Sequence, residues 1–193
     1  MGAASSLVEA GIAPDAKILE SVFARCFYAS DNTRLVGGFD EPLYQPASAP
    51  GQQHSLYYRE DFFASALHEV AHWCIAGYDR RQLTDFGYWY EPDGRDTPQQ
   101  EAFLSVEFKP QALQWFFSKA CRYPFRLSGD NLDGAGDAIQ LDKSFEQRVI
   151  AQARAWCGTD LPTRACLFFS TLCEEFGTVD DLTRLEFSSS ELE

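Results

Sequence analysis

The chemistry of this chain starts at His68-Glu69-Val70-Ala71-His72, two imidazoles four residues apart with a glutamate between them. On an α-helix, positions four apart lie about 40° apart around the axis and one turn up. Both rings therefore share a side, and one divalent ion can take a nitrogen from each. The chain has only three histidines, and two of them fall in this pattern. Ala64 and Ser65, one turn earlier on the same face, are small enough to leave room for an ion and something bound to it. Glu69 sits about 100° round from His68, which keeps it out of the same coordination sphere. Its chemical role is then a general base or a group that orients bound water, and its bland alternative is a solvated helix carboxylate.

Such a site needs a third ligand. The extension that supplies a third histidine is missing, because Ile75 and Tyr78 stand where a glycine and a histidine would be required. A carboxylate on a following helix is the remaining source, and Glu101 and Glu107 are the candidates. Glu101 falls in a first helical turn, where the helix dipole accounts for an anion without any metal. Glu107 falls near the expected C-terminal end, where the dipole opposes it, and follows Phe103 by four on that residue's apolar side. It needs a cation, either a metal or Lys109. Glu107 is the preferred ligand and Glu101 the alternative. Two histidines and one carboxylate serve zinc hydrolases and non-haem iron oxygenases alike, so the ligand set alone does not choose a reaction.

The elements that position these residues can be read from spacing. Apolar residues at helical intervals predict a helix from Pro14-Asp15 to about Ala29. The histidines lie on a second helix over residues 62–76, with Asp61 as its N-cap and Gly77 as its stop. Thr97-Pro98-Gln99-Gln100 reads as a capping box opening a helix to about Phe108, with Pro110 interrupting it and a further segment running to Ala120. Helices over 142–156 and 162–176 follow. Strands are expected at Ser55–Arg59 and Phe86–Tyr90, and residues 37–54, rich in Gly, Pro, Ser and Gln, read as a long loop. The fold class is α+β: one mostly helical domain over 1–193 with a few short strands, flexible at 1–13 and 188–193.

Composition sets the bounds. With 45% hydrophobic and 15% aromatic residues, the chain is globular. A net charge of -13 argues against nucleic-acid and anionic-membrane binding, which call for a positive surface. No signal peptide or spanning segment is evident, and six cysteines without a paired spacing read as reduced core thiols, so a cytoplasmic location is expected.

Several strings together are distinctive: Asp40-Glu41-Pro42-Leu43-Tyr44, the run Ala64 to Gly77, Asp85 to Tyr90, Pro92-Asp93-Gly94-Arg95, Val106 to Ala112, Tyr123-Pro124-Phe125 and Asp130-Asn131-Leu132. In order, across roughly residues 20–176, they resemble the elongation factor P hydroxylase family. The resemblance implies a bacterial enzyme that adds one oxygen atom to a lysine of elongation factor P already carrying a β-lysyl group. It implies a metal held by His68, His72 and Glu107, with Fe(II) as the metal and molecular oxygen as co-substrate, since zinc cannot change oxidation state. It leaves the reductant unassigned. The usual 2-oxoglutarate oxygenases differ, carrying their ligands on a β-barrel. Leu104-Ser105 and the acidic tail depart from the family pattern without touching the metal ligands.

Around that site, Asp85, Tyr88, Trp89, Asp93 and Arg95 are the candidates for holding the modified lysine, with Asp85, Asp93 or Asp96 meeting its amines. For the aromatics, plain core packing is the competing explanation. Arg80 and Arg81 suit either an acidic partner or a solvated helix end. Two other functions remain open from the residues alone: a zinc metallopeptidase with Glu69 as base, and a non-enzymatic module that binds a translation factor around a structural metal.

Overall fold

A computed structural model describes residues 14–87, 96–128, 143–159 and 161–192. Its chain begins with α1 (Lys17–Phe27), whose Leu19, Val22, Phe23, Cys26 and Phe27 make one buried stripe. Three strands follow, β1 (Thr33–Phe39), β2 (Leu43–Gln45) and β3 (His54–Arg59). They form a sheet in the order β1-β3-β2, with β1 parallel and β2 antiparallel to the central strand. The segment 37–54 expected to be loop thus carries the end of β1 and all of β2. The glycine pair Gly37-Gly38 and the shortness of β2 hide the strands from a reading of composition. Gly37 is required by contact, since a Cβ there would lie 2.5 Å from the Tyr58 ring and 2.8 Å from the Glu60 carbonyl oxygen.

The histidine helix α2 spans Phe63–Ile75 and buries Phe63, Ala66, Leu67, Val70, Ala71 and Cys74 at helical spacing, and Trp73 is buried as well. It packs on β3 and on the helices α1, α3 and α5. Its N-cap is Phe62, with no side-chain bond, rather than Asp61, and its C-cap is Ala76 rather than Gly77. The next helix, α3, runs unbroken over Thr97–Ala120. It opens on an Asp96–Gln99 capping box, one residue before the expected one, with both reciprocal bonds at 2.9 Å.

The break expected at Pro110 does not occur. A proline inside a helix removes one backbone hydrogen bond and costs about 3 kcal/mol. Here the turns that follow are buried almost all round, with Leu113, Trp115, Phe116 and Phe117 each at most 2% exposed. Burying each such side chain contributes roughly 1.5–3 kcal/mol, which outweighs the lost bond. The remaining helices, α4 (Lys143–Cys157) and α5 (Thr163–Phe176), pack against α3 and lie close to their expected bounds. Trp73 of α2 meets Phe23 and Phe27 of α1 at 5.1 and 4.6 Å, and Phe168 of α5 lies 6.2 Å from Phe23, so one aromatic cluster joins three helices.

Residues 84–87 form a tight turn with Asp85 and Phe86 in the left-handed region, not the start of a strand, and the rest of that expected strand lies outside the described residues. The tail expected to fray forms a further turn at Ser189–Glu191, where Glu191 pairs with Lys119 at 2.6 Å and Leu192 packs on the core. All six cysteines are free, four of them buried, as thiols of an apolar interior would be. No described helix is long and apolar enough to cross a membrane.

Candidate metal centre

Helices α2 and α3 pack together, and their shared face holds three ligand-type side chains. His68, His72 and Glu107 each bring one N or O atom to within 4.8 Å of the others. The Nε2 atoms of the histidines are 3.1 Å apart. Glu107 lies across from both, with Oε2 3.4 Å from His68 Nε2 and Oε1 3.2 Å from His72 Nε2. Its side chain is 1% exposed. Of the two candidate carboxylates, Glu107 is the one that meets the histidines; Glu101 is on the exposed face of the same helix.

Glu107 is short of partners. Neither of its oxygens has a hydrogen bond, although both are fully buried. The two imidazole nitrogens, 3.4 and 3.2 Å away, are within reach of the carboxylate but not well aligned with it. Burial by itself would raise the Glu107 carboxyl; positive charge at His72 and hydrogen bonding from the two rings would overcome it and hold the group well below the usual carboxylate range, and a bound cation would act in the same sense. A proton shared between the two imidazoles satisfies one nitrogen pair and still leaves both carboxylate oxygens without a donor. Buried anions need a paired charge. Three converging acceptors with too little positive charge among them fit a divalent cation.

Gln114 completes the polar face. It lies seven residues after Glu107, almost in line with it along α3, and is 8% exposed. Its Oε1 is 2.9 Å from His68 Nδ1, and its Nε2 donates to the Ala64 carbonyl at 3.3 Å. Reading the sequence missed this residue, because an uncharged amide has no obvious chemistry; its place on the buried stripe of α3 was the available signal. Ser65 is also committed, its Oγ accepting the Arg59 N–H at 3.1 Å.

Glu69 stands outside the triad on the same helix. It is partly buried, and that burial raises its carboxyl, with the charges of His68 and His72 pulling the other way. A cavity of about 480 Å³ opens beside His72 and Glu107, between the exit of α2 at Ala76–Arg80 and residues 105–110 of α3. Asp79, Arg80 and Lys109 are the other charged residues among its described walls.

Of the five candidates for lysine binding, Tyr88, Trp89, Asp93 and Arg95 lie outside the described residues. Asp85 is described, and its carboxylate accepts the Tyr44 N–H at 2.8 Å, which ties the 84–87 turn to β2. Phe86 stacks on Tyr44 at 4.5 Å as core. Arg80 donates to the Phe86 carbonyl and Arg81 pairs with Asp31, both at 3.1 Å, so both brace the exit of the histidine helix.

An α+β scaffold with two histidines and one buried carboxylate converging from two packed helices has the donor set of a metal-dependent enzyme. The chain belongs to the elongation factor P hydroxylase family, which it matches over residues 22–187. It is 43% identical over 168 residues to the elongation factor P lysine hydroxylase of Haemophilus influenzae, across 86% of this chain and 92% of that one. Both comparisons are with hydroxylases, and the peptidase alternative drawn from the histidine motif is left without support.

Proposed function

We propose that this protein hydroxylates a lysine side chain of elongation factor P, with His68, His72 and Glu107 holding a ferrous ion. The observation that carries the metal assignment is the Glu107 carboxylate, buried without a hydrogen bond against two imidazole nitrogens. Family membership and the relative's name support the substrate. His68, His72 and Glu107 would hold a ferrous ion supplying dioxygen chemistry, in which one oxygen atom enters a substrate C–H bond and the other leaves as water with two electrons from a reductant and two protons.

The chain's own residues supply the rest. The cavity beside His72 and Glu107 gives a long side chain a route to the site, and its walls exclude bulk water from one side. Asp79, which makes no side-chain capping bond in its turn, is placed to pair with an ammonium group near the mouth. Glu69, its carboxyl raised by burial, can hold or release a proton next to the ligands. The β-lysyl extension of the lysine suits this arrangement, because a longer cationic chain spans from mouth to metal.

The test compares metals. Protein loaded with ferrous iron is expected to add oxygen to elongation factor P in air with a reductant present, and zinc-loaded protein to add none. Anaerobic peptide cleavage by the zinc form, lost in Glu69→Gln, would overturn the reading in favour of a peptidase.

A further inference from the structure

We infer that Gln114 is a positioning residue that fixes the ring tautomer of His68 and thereby sets the affinity of the metal centre. The inference rests on the proposed metal site, but its evidence is the local hydrogen-bond geometry. A backbone carbonyl can only accept, so the Gln114 amide must turn its NH₂ toward Ala64 O, 3.3 Å away. That turns Oε1 toward His68 Nδ1 at 2.9 Å, and an amide oxygen can only accept. His68 therefore carries a proton on Nδ1, and its Nε2 lone pair faces His72 and Glu107. Flipping the amide would set two oxygens against each other at Ala64.

The arrangement is asymmetric in a way that matters. His72 lines the cavity, whereas His68 is held from behind by an amide that is 8% exposed and braced at its other end on the same helix. Ala64 and His68 are four apart on α2, so one glutamine side chain from α3 reads both positions of a single helical face. It locks the ring's rotation and its tautomer together. Partners of this kind behind a metal-bound imidazole typically change metal affinity by about 10–100-fold when lost. Gln114 also couples the register of the two helices to the site, because α3 carries both Glu107 and Gln114.

The experiment uses the full chain with Gln114→Leu and Gln114→Glu. Cobalt and zinc affinities are measured by competition with a chromophoric chelator, and thermal melting reports the fold. Ring N–H signals are followed in ¹⁵N-histidine-labelled, zinc-loaded protein, where the three histidines give few signals to assign. Gln114→Leu is expected to lose about 10–100-fold in metal affinity and to lose the slowly exchanging His68 Nδ1–H signal. Gln114→Glu still accepts that proton but sets an oxygen against the Ala64 carbonyl, so it is expected to keep the signal and bind metal more tightly than Gln114→Leu, with a lowered melting temperature. Equal affinity and an unchanged His68 signal in Gln114→Leu would overturn the inference. Wild-type protein that binds no metal would instead overturn the metal reading. The His68 ring proton in the metal-free wild type and Gln114→Leu then decides the Gln114 contact by itself.

Discussion

Two polar clusters sit on the same helix and are built in opposite ways. On the flank of α2, His68, His72 and Glu107 bring acceptors together with too few donors, and both Glu107 oxygens lack a well-aligned hydrogen bond. At its C-terminal end, donors meet acceptors. The Arg164 guanidinium donates to the carbonyls of Trp73 and Cys74 at 3.1 and 3.2 Å and to that of Ala76, while Arg81 pairs with Asp31. Both guanidinium groups also lie over the Trp73 ring, at 4.8 and 5.4 Å. A helix C-terminus favours cations, so the second cluster supplies the charge its carbonyls call for within the chain, although the Nε–H groups of Arg81 and Arg164 and the Trp73 Nε1–H have no acceptor. An added cation would complete the first, and on the proposed function that difference separates a brace from a binding site.

The sharpest way to break this contrast is to remove a ligand. Glu107→Gln, His68→Ala and His72→Ala are each expected to abolish stoichiometric metal binding and hydroxylation, a loss larger than the roughly 10–100-fold seen when only an outer partner is removed. Melting of the metal-free proteins should change little, and Glu101→Gln should bind metal as the wild type does. Metal analysis of anaerobically purified variants checks all four.

The brace should respond in the reverse sense. Arg164→Met removes a charged donor from three carbonyls and is expected to cost about 3 kcal/mol, read as a fall of roughly 6–12 °C in melting temperature. Metal affinity below that temperature should fall only a few-fold. A full loss of metal would mean that the two clusters are one cooperative unit.

At the cavity mouth, Asp79→Asn is expected to raise KM for modified elongation factor P several-fold with kcat and metal content unchanged. An effect on kcat alone would place Asp79 elsewhere in the mechanism.

The smallest effect concerns Asp85. Burial raises its carboxyl, and the Tyr44 N–H opposes that rise. A raised acid binds its proton more tightly in the folded state, so stability declines as pH climbs from the ordinary aspartate range through the folded value. Asp85→Asn keeps an acceptor for Tyr44 and suits the left-handed backbone there, with φ at 48°. It should raise melting temperature slightly at neutral pH, with the gain shrinking under acid conditions, and leave KM unchanged.

The legible parts of this molecule were those encoded locally. The α2 stripe declares itself by spacing, and Glu107 by following the buried Phe103 by four on its apolar side; the dipole argument for it fails, because the unbroken α3 places Glu107 in mid-helix. Parts that depend on distant contacts were not legible. The continuity of α3 through Pro110 comes from burial on neighbouring helices, and the parallel pairing of β1 with β3 joins residues about twenty apart. Arg164 caps a helix 88 to 91 residues before it, which no local pattern announces. Gln114 shows its role only once two helices are packed. Caps were displaced by one residue: Asp96 rather than the neighbouring Thr97 makes the capping box of α3, and α2 starts at Phe62 with no side-chain cap at all, so no polar residue marks its start.

The central claim is that the acceptor-rich cluster holds the metal for lysine hydroxylation of elongation factor P. Intact-mass measurement of that factor tests it most directly, using cells that lack this gene and carry either the wild-type copy or Glu107→Gln. The wild-type copy should restore the mass of one added oxygen atom on the modified lysine, and Glu107→Gln should leave that atom missing. Oxygen addition that persists without the gene, or that Glu107→Gln restores in full, would contradict the account.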